Sequence, residues 1–296
     1  MPKISPQQPS FANTVAAGGE GKGENPPQSY SYAHDGHYQS LMFAAAQNLP
    51  RLRKKLLNMP HGATIPVIAR NVDTLQRLRA VQSPMSAQCR GNGAQANAEL
   101  EALTADLVKA QSMQGGEGRA AQLQAAIQEK KKEVSTWLGE AYAIDATPIL
   151  GPDQLQRLRL QDKLRVLGHG GAGLSYITST NTADAQPIPM KDVAQGLRDG
   201  GLSPDFKNFS LTSCFSADTE QRDTFVADPP ARENGATAPA QVLVNELATA
   251  GFLQPVVKGY QGLAQRVPDG LRAAQVSPNE SMTVPRTQVR KDFTPG

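Results

Sequence analysis

The sequence predicts an α/β protein: a parallel-sheet core with flanking helices, preceded by a helical region and a structureless N-terminal tail. Three observations lead there. In the second half, short β-rich runs alternate with amphipathic stretches at lengths that require crossover connections, and hence parallel strands. Between residues 94 and 140, two long segments repeat apolar residues at helical spacing. The first forty residues hold scarcely any aliphatic side chain.

The segments, in chain order, are as follows. Hydrophobic residues make up 39% of the 296-residue chain, below the usual globular share, so part of it is expected outside any core. Residues 1–40, rich in Ser, Pro, Gln and Gly, read as a disordered tail, because so little apolar surface cannot offset the entropy of ordering. His34 and His37 are read as inert within it. Residues 41–57 (LMFAAAQNLPRLRKKLL) have a helical pattern interrupted by Pro50, and the RLRKK cluster reads as a solvated face rather than a nucleic-acid patch. TIPVIA at 64–69 is a strand candidate, followed by a short helical pattern through Leu75 and Leu78. The run SPMSAQCRGNG reads as a break. Leu100, Leu103 and Leu107 then mark one helix, and Leu123, Ile127, Val134 and Leu138 a second, with GGEG between them. The expected division is a tail at 1–40, a mainly helical region with this hairpin at 41–145, and a domain at 146–296 that carries the chemistry.

Several function classes recede at once. No stretch approaches the twenty apolar residues of a membrane span, and the N-terminus lacks the apolar centre of a secretory signal, which predicts a soluble protein outside the ordinary export route. Cys89 and Cys214 lie far apart in unlike surroundings, giving neither metal-ligand spacing nor a disulfide framework, and suit a reducing compartment. No metal site is expected.

From Lys163 to Leu167 (KLRVL) a strand runs into Gly168, His169, Gly170 and Gly171. The run MKDVAQGLRDGG places Met190, Val193 and Leu197 on one helical face and stops at Gly200 and Gly201. FSLT at 209–212 is a second strand, ending at Ser213, Cys214 and Phe215. APAQVLVNELATAG is a helix, and FLQPVVKGY supplies a third strand. In a parallel sheet the ligand-receiving edge is the carboxyl one, so His169 and Cys214 should emerge together there. On neighbouring strands they would be about 4.8 Å apart in the hydrogen-bonding direction. A thiolate nucleophile needs a nearby imidazole as acid and base, and the oxyanion it creates needs backbone donors, for which the N–H groups of Gly170 and Cys214 are placed. No third, acidic residue is required.

Two other patterns compete. Residues 168–173 fit G-x-G-x-x-G, but the polar loop that follows does not open a helix, and Asp184 is not at a strand end, so a dinucleotide site is not supported. Gln88-Cys89-Arg90-Gly91, with His61-Gly62 upstream, imitates a nucleophile motif, but neither part follows an apolar strand.

LRVLGHG, the helix MKDVAQGL, the strand FSLTSC and the sequel VLVNELATAGFLQPVVKGY resemble the caspase-like cysteine peptidases. Within them the closest likeness is to the self-processing cysteine protease domain of RTX and large clostridial toxins, over roughly residues 146–290. Where that family has Gly before the cysteine, this chain has Ser213. The resemblance implies a caspase-like sheet and an endopeptidase that forms an acyl-enzyme at Cys214 with His169 as acid and base. It also implies a preference for leucine before the scissile bond and self-cleavage in the N-terminal region. A secreted bacterial toxin or effector working in host cytosol is the implied setting, with a cytoplasmic protein otherwise. The family's activator is inositol hexakisphosphate, held by basic residues beside a β-flap after the last core strand. Here that stretch contains Lys258, Arg286, Arg290 and Lys291, and VPRTQVRKDF alternates like one strand. The alternative is a non-catalytic interaction module on the same fold.

Overall fold

The computed structural model describes residues 26–58, 62–113, 116–182, 185–221, 237–266, 272–276 and 283–296. In chain order these form β1 (Ser29–Ala33), α1 (Tyr38–Leu56), β2 (Val67–Ala69), α2 (Val72–Ser112), α3 (Glu117–Asp145), β3 (Ile149–Leu150), β4 (Lys163–Val166), β5 (Tyr176–Thr178), β6 (Pro187–Pro189), α4 (Met190–Asp199), β7 (Asn208–Leu211), α5 (Pro239–Thr249), β8 (Val256–Tyr260), β9 (Leu263–Arg266), β10 (Arg272–Gln275), β11 (Thr283–Pro285) and β12 (Arg290–Phe293). A seven-stranded sheet has the order β12-β8-β7-β4-β1-β2-β3, parallel throughout except for β12, which runs antiparallel to β8. Strands β9, β10 and β11 make a separate antiparallel sheet, and β5 pairs with β6.

The core has two layers because strand side chains alternate between faces. Leu164, Val166, Phe209, Leu211 and Val257 pack on one side with Met190, Val193 and Leu197 of α4 and Leu243, Val244 and Leu247 of α5. Phe209 meets Phe206 and Phe252 edge-on, with ring centroids 5.1 and 5.5 Å apart. On the other side Val67 and Ala69 pack with Leu41, Ala44 and Leu52 of α1, Leu78 of α2 and Ile144 of α3. Among the described residues no helix is long and apolar enough to cross a membrane.

Four expectations change. Residues 29–40 are not part of a structureless tail. SYSYA is a central strand between β4 and β2, with Tyr32 and Ala33 fully buried. Its wall contacts come from tyrosine and alanine rather than branched aliphatics, and the Ser31 and Tyr32 hydroxyls are buried without partners. The 41–145 region supplies β2 to the same sheet, and its helices α1, α2 and α3 pack on the sheet's second face.

SPMSAQCRGNG does not break structure: α2 runs unbroken through Pro84, Gly91 and Gly93. Ser86, Cys89, Gly93 and Ala96 recur at three- and four-residue intervals and are the buried stripe of that helix. A Cβ at Gly93 would come 3.0 Å from Leu138, so small residues set how closely α2 and α3 approach. Ser86 Oγ donates to Ala141 O (3.2 Å), and Gln82 Nε2 to Ile144 O (2.8 Å) and Thr147 O (2.9 Å). Finally, VPRTQVRKDF is two strands, β11 and β12, separated by a turn at 286–289.

Candidate active site

β4 and β7 are parallel neighbours, with Leu164 opposite Phe209, Arg165 opposite Ser210 and Val166 opposite Leu211. Thr212 extends the pairing, its N–H and Oγ1 both donating to Val166 O (3.0 and 2.8 Å). His169 and Cys214 lie the same number of positions past the Val166–Leu211 pair, at the carboxyl edge of the sheet. The strand ends are also close. A Cβ on Gly170 would lie 2.8 Å from both Cβ and Oγ of Ser213 and 3.3 Å from the Cys214 carbonyl oxygen. Among the described residues, neither the Gly170 nor the Cys214 N–H has a backbone acceptor.

His169 is held from three directions. Its backbone is bridged to Thr178, with His169 N–H donating to Thr178 O (2.7 Å) and Thr178 N–H to His169 O (3.0 Å). Its ring sits edge-on to Phe43, centroids 4.7 Å apart, and its Nε2 lies 2.6 Å from Gln39 Oε1. Burial first, and then the charge of His37, push the imidazole below its ordinary pKa, so it is neutral near pH 7. Beside it opens a cleft of about 280 Å³, whose walls include Gly170, Leu174, Tyr176, Thr178 and Asn181. His169 is the one ionisable imidazole, carboxylate or cation in its described lining.

Cys214 is half-buried, and its Sγ accepts from the Ala264 N–H of β9 (3.4 Å). Its neighbours are strapped to the β8–β9 connection: Phe215, at φ 52°, donates its N–H to Gly262 O (2.8 Å), Ala217 N–H goes to Tyr260 O (3.0 Å), and Gly262 N–H to Asp218 Oδ2 (2.8 Å). Ser213 is buried with an unpartnered Oγ.

The basic residues singled out from sequence do not all converge. Lys258 shares the α1 side of the sheet with Tyr260 and Arg165 by strand alternation, and Arg290, opposite Tyr260, falls on that side too, where it pairs with Asp292 (3.5 Å). Lys291 is opposite Gly259, whose Cβ direction meets Ala240 of α5, so it belongs to the other face. Arg286 is buried, its guanidinium carbon 4.0 Å above the Tyr260 ring and its Nε unpartnered.

Sequence reasoning missed two further cations. Arg165, on β4, donates to Gln47 Oε1 of α1 (2.8 Å). Its pKa is pushed down to about 10 by burial and then by the charge of Arg51, with Arg286 contributing. Arg51 is itself lowered by burial. Alternation of charged and apolar residues in KLRVL was the available signal.

The remaining histidines and the second cysteine fall elsewhere. His37 caps α1, its Nδ1 accepting from Gln39 N–H (3.3 Å), and His34 is buried beside Arg70, so neither is an inert tail residue. Cys89 is buried in α2, and His61 and Asp184 lie outside the described residues. Among the described residues no group of three or more His, Cys, Asp or Glu is gathered to hold a metal. No protein-family model matches the chain, and no curated protein matches it either.

Proposed function

We propose that the chain is a caspase-like cysteine endopeptidase with Cys214 as nucleophile and His169 as acid and base. The observation that carries this reading is the register-matched position of the two residues past β4 and β7, with Gly170 pressed against Ser213 and Cys214. In the reaction, His169 takes the Cys214 thiol proton, the thiolate forms a bond to the scissile carbonyl carbon, and the Gly170 and Cys214 N–H groups donate to the resulting oxyanion. Collapse breaks the C–N bond as His169 protonates the departing amine. Water, deprotonated by His169, then cleaves the thioester and restores the thiol.

The substrate is a protein or peptide, bound along the cleft beside His169. The chain's own N-terminal region is one candidate: Leu57, 63% exposed just beyond α1, is an accessible leucine there. Autoprocessing of this kind suits a secreted bacterial toxin or effector.

The activator proposed is inositol hexakisphosphate. Arg51, Arg165 and Arg286 are brought together against burial, and an anion would offset both their desolvation and their mutual repulsion. The charge of a Cys214 thiolate acts on Arg286, which connects that cluster of arginines to the nucleophile. The competing reading, a binding module on the same fold, draws on the separate partners that His169 Nε2 and Cys214 Sγ now have.

Intact-mass analysis of the purified chain, with and without inositol hexakisphosphate, tests the assignment. Truncated products should form with the native protein and be lost in Cys214→Ala and His169→Ala. Cleavage that persists in either variant rules the dyad out.

A further inference from the structure

We propose that Gln39 is the positioning residue of His169, a role that rests on the peptidase reading above. An amide oxygen can only accept, so the 2.6 Å approach of Gln39 Oε1 requires the proton of the neutral imidazole to sit on Nε2. Nδ1 is then left as the lone pair of the ring. A general base must present a lone pair in a fixed direction, and the partner of one ring nitrogen decides which nitrogen presents it.

The amide is itself oriented. Gln39 Nε2 donates to Tyr38 OH and to Asn181 Oδ1, both at 3.3 Å, which turns Oε1 toward the imidazole. Phe43, one helical turn further along α1, packs edge-on against the same ring. The first two turns of α1 therefore hold His169 with one polar and one apolar contact. The charge of His37, the N-cap of the same helix, also acts on this imidazole. Asn181 also lines the cleft, so the orienting amide is tied to the wall where a substrate would lie.

Two-bond proton–nitrogen correlation spectra of the ¹⁵N-labelled full chain report the His169 tautomer and pKa without any need for turnover. The native protein should carry the proton on Nε2. Gln39→Ala should mix the tautomers, while Gln39→Glu, nearly isosteric, should hold Nε2–H and raise the His169 pKa, because a carboxylate favours the imidazolium. A native Nδ1–H tautomer, or a tautomer and pKa indifferent to both variants, overturns the proposal. Because these spectra do not depend on peptidase activity, failure here is separable from failure of the dyad, which Cys214→Ala and His169→Ala decide. On the cleaving protein, Gln39→Ala should lower kcat by roughly tenfold or more with KM little changed. An unchanged kcat contradicts the role.

Discussion

Gly170 and Ser213 should behave as one coupled pair. A methyl on Gly170 would come within 2.8 Å of both Cβ and Oγ of Ser213, well inside ordinary contact distance, and the Cβ is fixed to the backbone just past β7 rather than at the tip of a flexible chain. Gly170→Ala should therefore cost about 1–3 kcal/mol, the usual range for overpacking, and push the two strand ends apart. Removing the Ser213 side chain leaves the Cys214 carbonyl oxygen, at 3.3 Å, as the nearest obstacle. Ser213→Gly alone relieves a buried, unpartnered hydroxyl but loosens the backbone, two effects of about 1 kcal/mol that oppose each other. The double variant should then recover most of the loss, with a coupling energy of roughly 1–3 kcal/mol. Urea unfolding of the four proteins measures stability, and the rate of Cys214 alkylation reports the local geometry. If the single effects simply add, to within about 0.5 kcal/mol, the close approach of the two strand ends is wrong.

Three other outcomes follow. His34 accepts a hydrogen bond from Arg70 Nη1 (2.5 Å), and its pKa is pushed down to about 4 by burial and then by the Arg70 charge. Its unfolded pKa is near 6.5, so the unfolded chain binds the proton first, and the stability present above pH 6.5 should fall by about 3 kcal/mol between pH 6.5 and 4. His34→Gln should flatten that part of the pH–stability curve, and an unchanged slope contradicts the pairing. Arg165→Ala together with Arg286→Ala should abolish any rise in Tm with inositol hexakisphosphate at low salt, whereas Lys291→Ala, on the opposite face, should leave it; the reverse pattern would relocate the site. Phe209→Ala should cost about 3–5 kcal/mol by urea unfolding, because Phe206 and Phe252 both pack on that ring; a loss below about 1 kcal/mol would mean the core is not arranged around it.

The half of the sheet that carries His169 and Cys214 was legible because its elements announce themselves by aliphatic spacing. KLRVL, FSLT and VVKGY are strands, and the runs at 190–199 and 239–249 are helices. The other half was concealed by composition. β1 buries tyrosine and serine in place of valine and isoleucine, and so reads as part of a polar tail. The middle of α2 exposes a rule about small residues: serine, cysteine and glycine at helical spacing are breakers in an isolated chain, but they form a close-packed seam once α3 lies against them. The β11–β12 turn was invisible because alternation continues across it. Gln39 could not be found from sequence at all, since its role depends on α1 lying beside the carboxyl end of β4. The same geometry separates Lys291 from Arg286 and brings Arg165 and Arg51 to the basic face instead.

The most direct test of the central claim is the site and rate of modification by a peptide-like electrophile, mapped by mass spectrometry on the full chain with added inositol hexakisphosphate. Cys214 should be labelled much faster than the buried Cys89, and His169→Ala should slow that labelling by roughly a hundredfold or more, the scale of lost acid–base assistance. Equal labelling of the two cysteines, or a Cys214 rate unaffected by loss of His169, would contradict the account.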